Sequence, residues 1–306
     1  MTTTVILSCF NGSKYILEQL ESLRLQTRMA DEVLIGDDCS TDNTPSIIRN
    51  YIHCHHLTYW NYIENESNLG WKINFHKLIR LAAGDLIFLC DQDDVWSLNK
   101  IEVMAQTMEN NPMIDVLACD VKPSYEKGSK KITKYNLGHN DSLLSKVRID
   151  NRSVYVQRPG CSFCVRKSFL MEIEPYWDET WAHDAVIWVL SETKGALYIL
   201  ENKLVMFRRH DSNASARNRL TLNSRISDIE HLINRVEVMK KYGFDSGVLN
   251  VTDGKELEKM KLWLISRVNF LNSPNIKLLH QILIEKKRYV SFKGFLVDLY
   301  LSLLRK

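Results

Sequence analysis

Three acidic strings carry the first chemical signal in the chain: Asp37-Asp38-Cys39-Ser40-Thr41-Asp42, Asp91-Gln92-Asp93-Asp94, and Trp181-Ala182-His183-Asp184. An Asp-x-Asp at a strand end suits Mg²⁺ or Mn²⁺, because these ions prefer oxygen ligands and take one or two carboxylates together with substrate phosphates. Asp91 and Asp93 have that spacing. The same string also reads as an acidic turn ahead of a helix capped by Ser97, since negative charge is favoured at helix N-termini. Asp184 reads either as a helix N-cap beside a surface histidine or as a carboxylate able to take a proton from an incoming hydroxyl. Arg208-Arg209-His210 suits a departing anion or a plain surface turn.

The elements that must position these residues are legible from periodicity. Short apolar runs alternate with helical patterns through the first half, the signature of strands joined by helical crossovers into a largely parallel sheet. Thr4 to Cys9 reads as a buried strand, followed by the turn Asn11-Gly12-Ser13 and a helix with Ile16, Leu17, Leu20 and Leu23 on one face. Glu32 to Gly36 is the second strand. Thr44 then reads as an N-cap and Pro45 as N1 of a helix, and Leu57 to Ile63 as a third strand. After Asn68-Leu69-Gly70 comes a helix through Phe75, Leu78 and Ile79, with Gly84 as its C-cap. The continuous run Leu86 to Cys90 fits a strand covered on both faces. Two of the acidic strings thus follow strands, where ligands bind in open α/β sheets.

Beyond a helix at 97–110 and a strand at Val116 to Val121, residues 122–158 are polar and poorly periodic and read as an insertion. Cys161 to Val165 resumes the strand pattern. A helix from Asp184 leads to short strands at Leu197 to Leu200 and Val205 to Arg208. From Thr221 the pattern is helical, with breaks near Gly243 and Pro274. The organisation expected is therefore an α/β domain over 1–216 and a helical region over 217–306.

Composition narrows the class. In 306 residues, 45% are apolar and seven are cysteines, and Cys9, Cys39, Cys90 and Cys119 lie in or beside apolar runs, which favours a reducing, cytoplasmic setting. Cys161 and Cys164 form a C-x-x-C without a second ligand pair, so ordinary thiols are expected rather than structural zinc. No run of 18 apolar residues and no signal-like N-terminus occurs, so neither secretion by that route nor a membrane span is expected. Residues 217–306 hold 17 of the 40 Lys and Arg but only 9 of the 37 Asp and Glu. This basic tail lacks nucleic-acid-binding signatures and fits an anionic membrane surface better. The segment 289–306 is basic and amphipathic, and its apolar face is expected to meet a membrane, the core or a second subunit.

Residues 4–96 resemble the nucleotide-sugar half of family 2 glycosyltransferases of the GT-A fold. The resemblance rests on four strings in order: Ser8 to Tyr15 with Gln19-Leu20 and Leu25-Gln26-Thr27; Asp31 to Asp42; Asn68-Leu69-Gly70 with Gly84-Asp85; and Asp91 to Trp96. The last is similar to the form found in bacterial rhamnosyltransferases and related O-antigen or capsule enzymes. The resemblance implies a Rossmann-like, mixed but mostly parallel sheet flanked by helices. It implies that Asp38 accepts from N3–H of a uracil or thymine, with Ser8 and Asn11 near the nucleotide. Asp91 and Gln92 would face the nucleotide, and Asp93 the metal-bound diphosphate. Asp94 and Trp96 would touch the sugar or simply pack.

Trp181 to Asp184 resembles the acceptor-side motif, which implies Asp184 as general base, and Arg208 to Asn213 resembles the string that closes the catalytic domain, bringing Arg209 and His210 toward the diphosphate. The activity implied is inverting, metal-dependent transfer from dTDP-rhamnose or a UDP-hexose to a lipid-linked glycan at the cytoplasmic face of a membrane. Two other enzyme classes share fragments of the pattern. Phosphatases of the haloacid dehalogenase type carry Asp-x-Asp on their opening strand, whereas here three strands precede it. Nucleotidylyltransferases need a richer Gly and basic loop than Asn11-Gly12-Ser13. A nucleotide-sugar-binding scaffold without turnover is the non-enzymatic alternative.

Overall fold

The computed structural model describes residues 1–126, 143–210 and 221–303, and they divide into two compact units. The first unit is built on a nine-stranded sheet. Its opening strands are β1 (Thr3–Cys9), β2 (Glu32–Asp37), β3 (Trp60–Glu64) and β4 (Leu86–Asp91), with helices α1 (Ile16–Arg24), α2 (Thr44–Cys54) and α3 (Trp71–Leu81) between them. β5 (Val95–Trp96), α4 (Lys100–Asn110), β6 (Val116–Tyr125), β7 (Leu144–Lys146), β8 (Phe163–Arg166), α5 (Lys167–Ile173), α6 (His183–Lys194) and β9 (Leu197–Arg209) follow. The strand order is β3-β2-β1-β4-β8-β6-β9-β5, with β7 on β9. β1, β2, β3 and β4 pair in parallel, as do β6 and β9, while β8 runs antiparallel to both β4 and β6.

The parallel half follows from the sequence in physical terms. β1 and β4 are buried along nearly their whole length, so helices must cover both faces, and parallel strands require crossovers long enough to supply those helices. One core forms on this sheet, with Val5, Leu7, Ile16, Leu20, Ile35 and Phe88 among its buried side chains.

Several boundaries depart from expectation. Asn43, not Thr44, is the N-cap of α2, and Thr44 is its first helical residue. The Thr44 hydroxyl donates to Asp42 Oδ1 (2.5 Å) and accepts from Gly12 N (2.8 Å), so it is engaged with the neighbouring loops. The third strand starts only at Trp60, because His56 takes a positive φ of 51° and turns the chain there. α3 ends at Leu81, short of Gly84. The two short strands expected between 197 and 208 are one 13-residue strand, and its register against β6 shifts on either side of Asp120. β6 runs on to Tyr125 and β7 lies at 144–146, both inside the stretch read as an insertion. Residues 127–142 lie outside the described residues.

The second unit gathers Arg148–Val156, Val189–Gly195 and Ser215–Lys306. Its described helices are α7 (Leu222–Asp245), α8 (Val251–Asn272), α9 (Ile276–Ile284) and α10 (Phe292–Leu303), besides the end of α6. Thr221 caps α7, its hydroxyl accepting from Ser224 N. The break expected near Gly243 falls just after it, between Asp245 at the end of α7 and Val251 at the start of α8. α8 stops at Asn272, just before Pro274. Buried Asp298 of α10 accepts from Arg225 Nε (2.7 Å), Arg267 Nε (2.8 Å) and the Tyr289 hydroxyl (2.7 Å), tying α7, α8 and α10 together.

Candidate active site

The parallel register fixes where the acidic strings go. Ser8 of β1 lies opposite Gly36 of β2 on one side and Asp91 of β4 on the other, so the loops leaving all three strands emerge at one edge of the sheet. Such an edge is where open α/β sheets bind ligands.

Side chains knit these loops together. Asn11, at a positive φ of 48°, donates its backbone N–H to Ser40 Oγ (2.8 Å), and its Oδ1 accepts from Thr41 N (2.8 Å) and Asp42 N (3.3 Å). Asp37 Oδ1 accepts from Ser40 Oγ (2.5 Å) and Asp37 Oδ2 from the Tyr62 hydroxyl (2.7 Å), which sets the turn. Asp38 is buried, and its carboxylate accepts from Asn65 Nδ2 (2.9 Å), Leu69 N (2.8 Å) and Gly70 N (2.8 Å). Two of these donors explain why Asn68-Leu69-Gly70 accompanies the acidic strings in sequence: it supplies the Leu69 and Gly70 N–H groups that help fix Asp38. Ser8 Oγ accepts from Asn74 Nδ2 (2.8 Å), so Ser8 is also held at the strand end.

At the turn after β4 the four residues have different surroundings. The Gln92 amide is paired with a backbone, Nε2 donating to Phe10 O (3.0 Å) and Oε1 accepting from Phe10 N (2.9 Å). A Cβ on Gly12 would sit 2.2 Å from Gln92 Oε1, so this docking requires glycine there. Asp93 Oδ2 meets His210 Nε2 at 2.7 Å, and the His210 ring stacks on Tyr15 at 4.7 Å. Asp94 Oδ1 accepts from Arg208 N (2.9 Å), and its buried carboxyl faces the Cys161 thiol. Trp96 is 2% exposed; its ring packs with Phe88 and under Lys100 Nζ, 3.3 Å from the ring centre, which places it in the core.

Arg208 is the cation that the sequence alone did not single out. Its Nε donates to Asp93 O (2.9 Å), its Nη2 to Glu18 Oε2 (2.5 Å), and its guanidinium lies over the Tyr15 ring at 4.9 Å. The alternation of side chains along a strand was the available signal. Arg208 and His210 fall on one side of the chain as it leaves β9 and meet the acidic turn, whereas Arg209 falls on the other and lies over Phe207 (5.5 Å). Lys100 is a second such residue: buried below the turn, its Nζ donates to Cys161 O (2.7 Å).

The acceptor-side string lies in the same unit. Asp184 is half-buried in the first turn of α6. Burial, followed by the charges of Asp94, Asp93 and Asp184, pushes the Asp91 carboxyl well above the usual range, so Asp184 shares a field with the turn after β4. Burial and Asp93 raise Asp94 to about 7. His183 is buried rather than on the surface. Its ring centre lies 3.9 Å from that of Phe75, with Trp71 edge-on at 5.9 Å, and burial lowers its pKa to about 4. A Cβ on Gly160 would lie 2.6 Å from His183 Nε2 and 3.2 Å from Asp184 Cβ.

Crowded carboxylates of this kind fit a divalent cation. Their mutual repulsion is what a hard, oxygen-preferring ion offsets. Donor atoms of Asp91, Asp94 and Cys161 lie within 4.8 Å of one another. Burial and the adjacent Asp94 and Asp91 raise the Cys161 thiol well above its usual value, so it stays protonated and the carboxylates are the donors that count. Asp91 and Asp94 could hold such an ion, and Asp93, paired to His210, could join them.

The family model described as Glycosyl transferase family 2 matches residues 4–173. A dTDP-rhamnosyl transferase, RfbG of Shigella flexneri, is 25% identical over 222 residues, covering 68% of this chain and 72% of that protein. An uncharacterised protein of Mycobacterium bovis is 27% identical over 218 residues; the match covers 68% of this chain and 58% of the mycobacterial protein. Among solved structures, S. aureus TarS 1-349 in complex with UDP-GlcNAc superposes with a TM-score of 0.65 at 15% identity, covering 93% of this chain and 79% of that one. The mannosyltransferase PcManGT from Pyrobaculum calidifontis, in complex with GDP-Man and Mn²⁺, gives 0.56 at 15% identity, covering 99% and 86%. These likenesses show the GT-A fold, and the match over residues 4–173 sets aside the dehalogenase and nucleotidylyltransferase readings. The chain belongs to glycosyl transferase family 2.

Proposed function

We propose that this protein transfers a sugar, with inversion, from a dTDP- or UDP-linked donor to a hydroxyl of a growing, lipid-linked cell-surface polysaccharide, in a reaction dependent on Mg²⁺ or Mn²⁺. The observation that carries the reading is geometric: donor atoms of Asp91 and Asp94 lie within 4.8 Å of each other and of Cys161 at the carboxyl edge of the sheet, and Asp184 stands against Gly160, the residue before Cys161. The dTDP-rhamnosyl transferase relative supports a dTDP-rhamnose donor, and the UDP-GlcNAc complex of TarS a UDP-linked one.

In this reading Asp38 accepts from the base N3–H. Three donors already use three of the roughly four lone-pair sites of its carboxylate, leaving room for one more. Ser8, Asn11, Asp91 and Gln92 border the nucleotide, Gln92 acting through the Phe10 backbone it clamps. Asp91, Asp93 and Asp94 hold the divalent ion, which supplies charge stabilisation to the diphosphate. His210 lies toward the leaving group, Arg208 orients the acidic turn, and Arg209, expected beside them, faces Phe207 instead. Asp184 takes the acceptor proton as the new oxygen–carbon bond forms opposite the breaking bond to the diphosphate. The nucleoside diphosphate departs with that electron pair.

A panel of UDP- and dTDP-sugars with Mn²⁺, read by nucleoside diphosphate release in the presence of a glycan acceptor, tests the proposal. One donor should turn over, and chelation should stop it. Asp93→Asn should abolish cation-dependent turnover, and Asp184→Asn should stop transfer while donor affinity stays within about twofold. Absence of nucleoside diphosphate release with every donor would support the scaffold alternative, and wild-type-like transfer by Asp184→Asn would remove that residue from its role.

A further inference from the structure

Surface helices normally set an apolar stripe against the protein and a polar face toward water. α10 does not. Its inner arc packs through Phe295, Asp298 and Leu301, all buried. Its outer arc carries Phe292, Leu296, Tyr300 and Leu303, which are 65%, 46%, 59% and 60% exposed. At 100° per residue these four fall within about 80° of one another, a continuous stripe along the whole helix. α9 repeats the arrangement on a smaller scale: Ile282 is buried while Ile276 and Ile284 face out.

The charges around these arcs have one sign. Lys277, Lys286, Lys287 and Lys293 are exposed between Ile276 and Leu303, whereas the two acidic residues of that stretch are accounted for. Asp298 is buried under Arg225 and Arg267, and Glu285 is paired with Arg288. A second copy of the chain on this face would bring like charges together. An anionic surface meets the lysines favourably and accepts the aromatic and aliphatic stripe at the boundary of headgroups and acyl chains.

We propose that α10, with the lysine-rich segment between it and α9, docks the protein on an anionic lipid bilayer, the helix lying in the interface with Phe292, Leu296, Tyr300 and Leu303 inserted. No helix among the described residues is long and apolar enough to cross a membrane, so this contact is interfacial. The proposal stands on this surface alone and is independent of the transfer chemistry.

The test uses the full chain and flotation with vesicles of phosphatidylcholine, with and without about one-third phosphatidylglycerol. Binding is expected to the anionic vesicles, at least tenfold weaker to the neutral ones, and weakened by 0.5 M salt. The triple substitution Phe292→Ser/Leu296→Ser/Tyr300→Ser changes only outward positions, so its melting temperature should match wild type while anionic vesicle binding falls at least tenfold. As a positive signal, the indole emission of the Leu296→Trp variant should shift to the blue on anionic vesicles. Equal binding by the triple variant, or no shift of the Leu296→Trp emission with vesicles present, overturns the proposal. So does a concentration-dependent dimer that the triple variant abolishes without any wild-type vesicle binding. Donor turnover measured in detergent-free solution with the same variants separates this outcome from failure of the transfer reading.

Discussion

His183 shows how much of a residue's chemistry is set by where it is packed. Among the described residues neither ring nitrogen has a hydrogen-bond partner, and the ring lies against Phe75 and Trp71, so protonation would place an unpaired charge in an apolar setting. Its folded pKa of about 4 lies below the usual histidine value near 6.5. As pH falls the unfolded chain therefore takes up the proton first. Stability should drop between about pH 6.5 and 4 and then level off, by about 3 kcal/mol from this group. Denaturant unfolding of wild type and His183→Gln across that range checks it: the gap between the two curves should narrow toward pH 4. A gap independent of pH would refute the burial argument.

The same scale shows what a sequence conceals. Asp38, Asp91 and Asp93 were legible because carboxylates after apolar runs must sit at strand ends. Their partners were not. Gln92 binding the Phe10 backbone, and Asn11 stapling Thr41 and Asp42, are contacts between loops distant in sequence, with no periodicity to announce them. Arg208 was legible in principle from strand alternation. Residues two apart share a side of an extended chain, so Arg208, not Arg209, falls beside His210 once the strand is seen to run on to Arg209.

At the scale of elements, the parallel strands and their crossovers were readable because burial on both faces writes itself as unbroken apolar runs. Boundaries were less so: the His56 turn delays β3, and α7 runs two residues past Gly243 before it ends. The junction of α6 with the segment 160–162 is where an element positions chemistry most tightly. Gly160→Ala would force its new Cβ toward His183 Nε2 and Asp184 Cβ, displacing the first turn of α6. A shift approaching an ångström at a reacting group costs on the order of 10²-fold in rate. The expected result is a tenfold or larger fall in kcat with little change in donor affinity. Unaltered kcat would show that the turn does not set the position of Asp184.

Across the whole molecule, each unit has its own polar anchor or core. In the helical unit, Arg267 is buried between the rings of Trp263 (4.7 Å) and Tyr289 (4.6 Å), and Asp298 is the carboxylate that neutralises it. Asp298→Ala strands that guanidinium, and breaking a buried pair in this way costs about 3–5 kcal/mol. Chemical denaturation followed by helix signal should show a transition at markedly lower denaturant; a midpoint equal to wild type would mean that Arg267 finds another partner.

The helical unit is also not contiguous in the chain, since it takes Arg148–Val156 and Val189–Gly195 as well as the long segment from Ser215. This bears on heredity as much as on folding. A single crossover near codon 216 between two related genes would exchange α7 to α10 but leave two shorter pieces of the same unit from the other parent. A single crossover that passes the unit on intact must fall upstream of codon 148, and it then carries residues 157–188 and 196–214 of the first unit along with it.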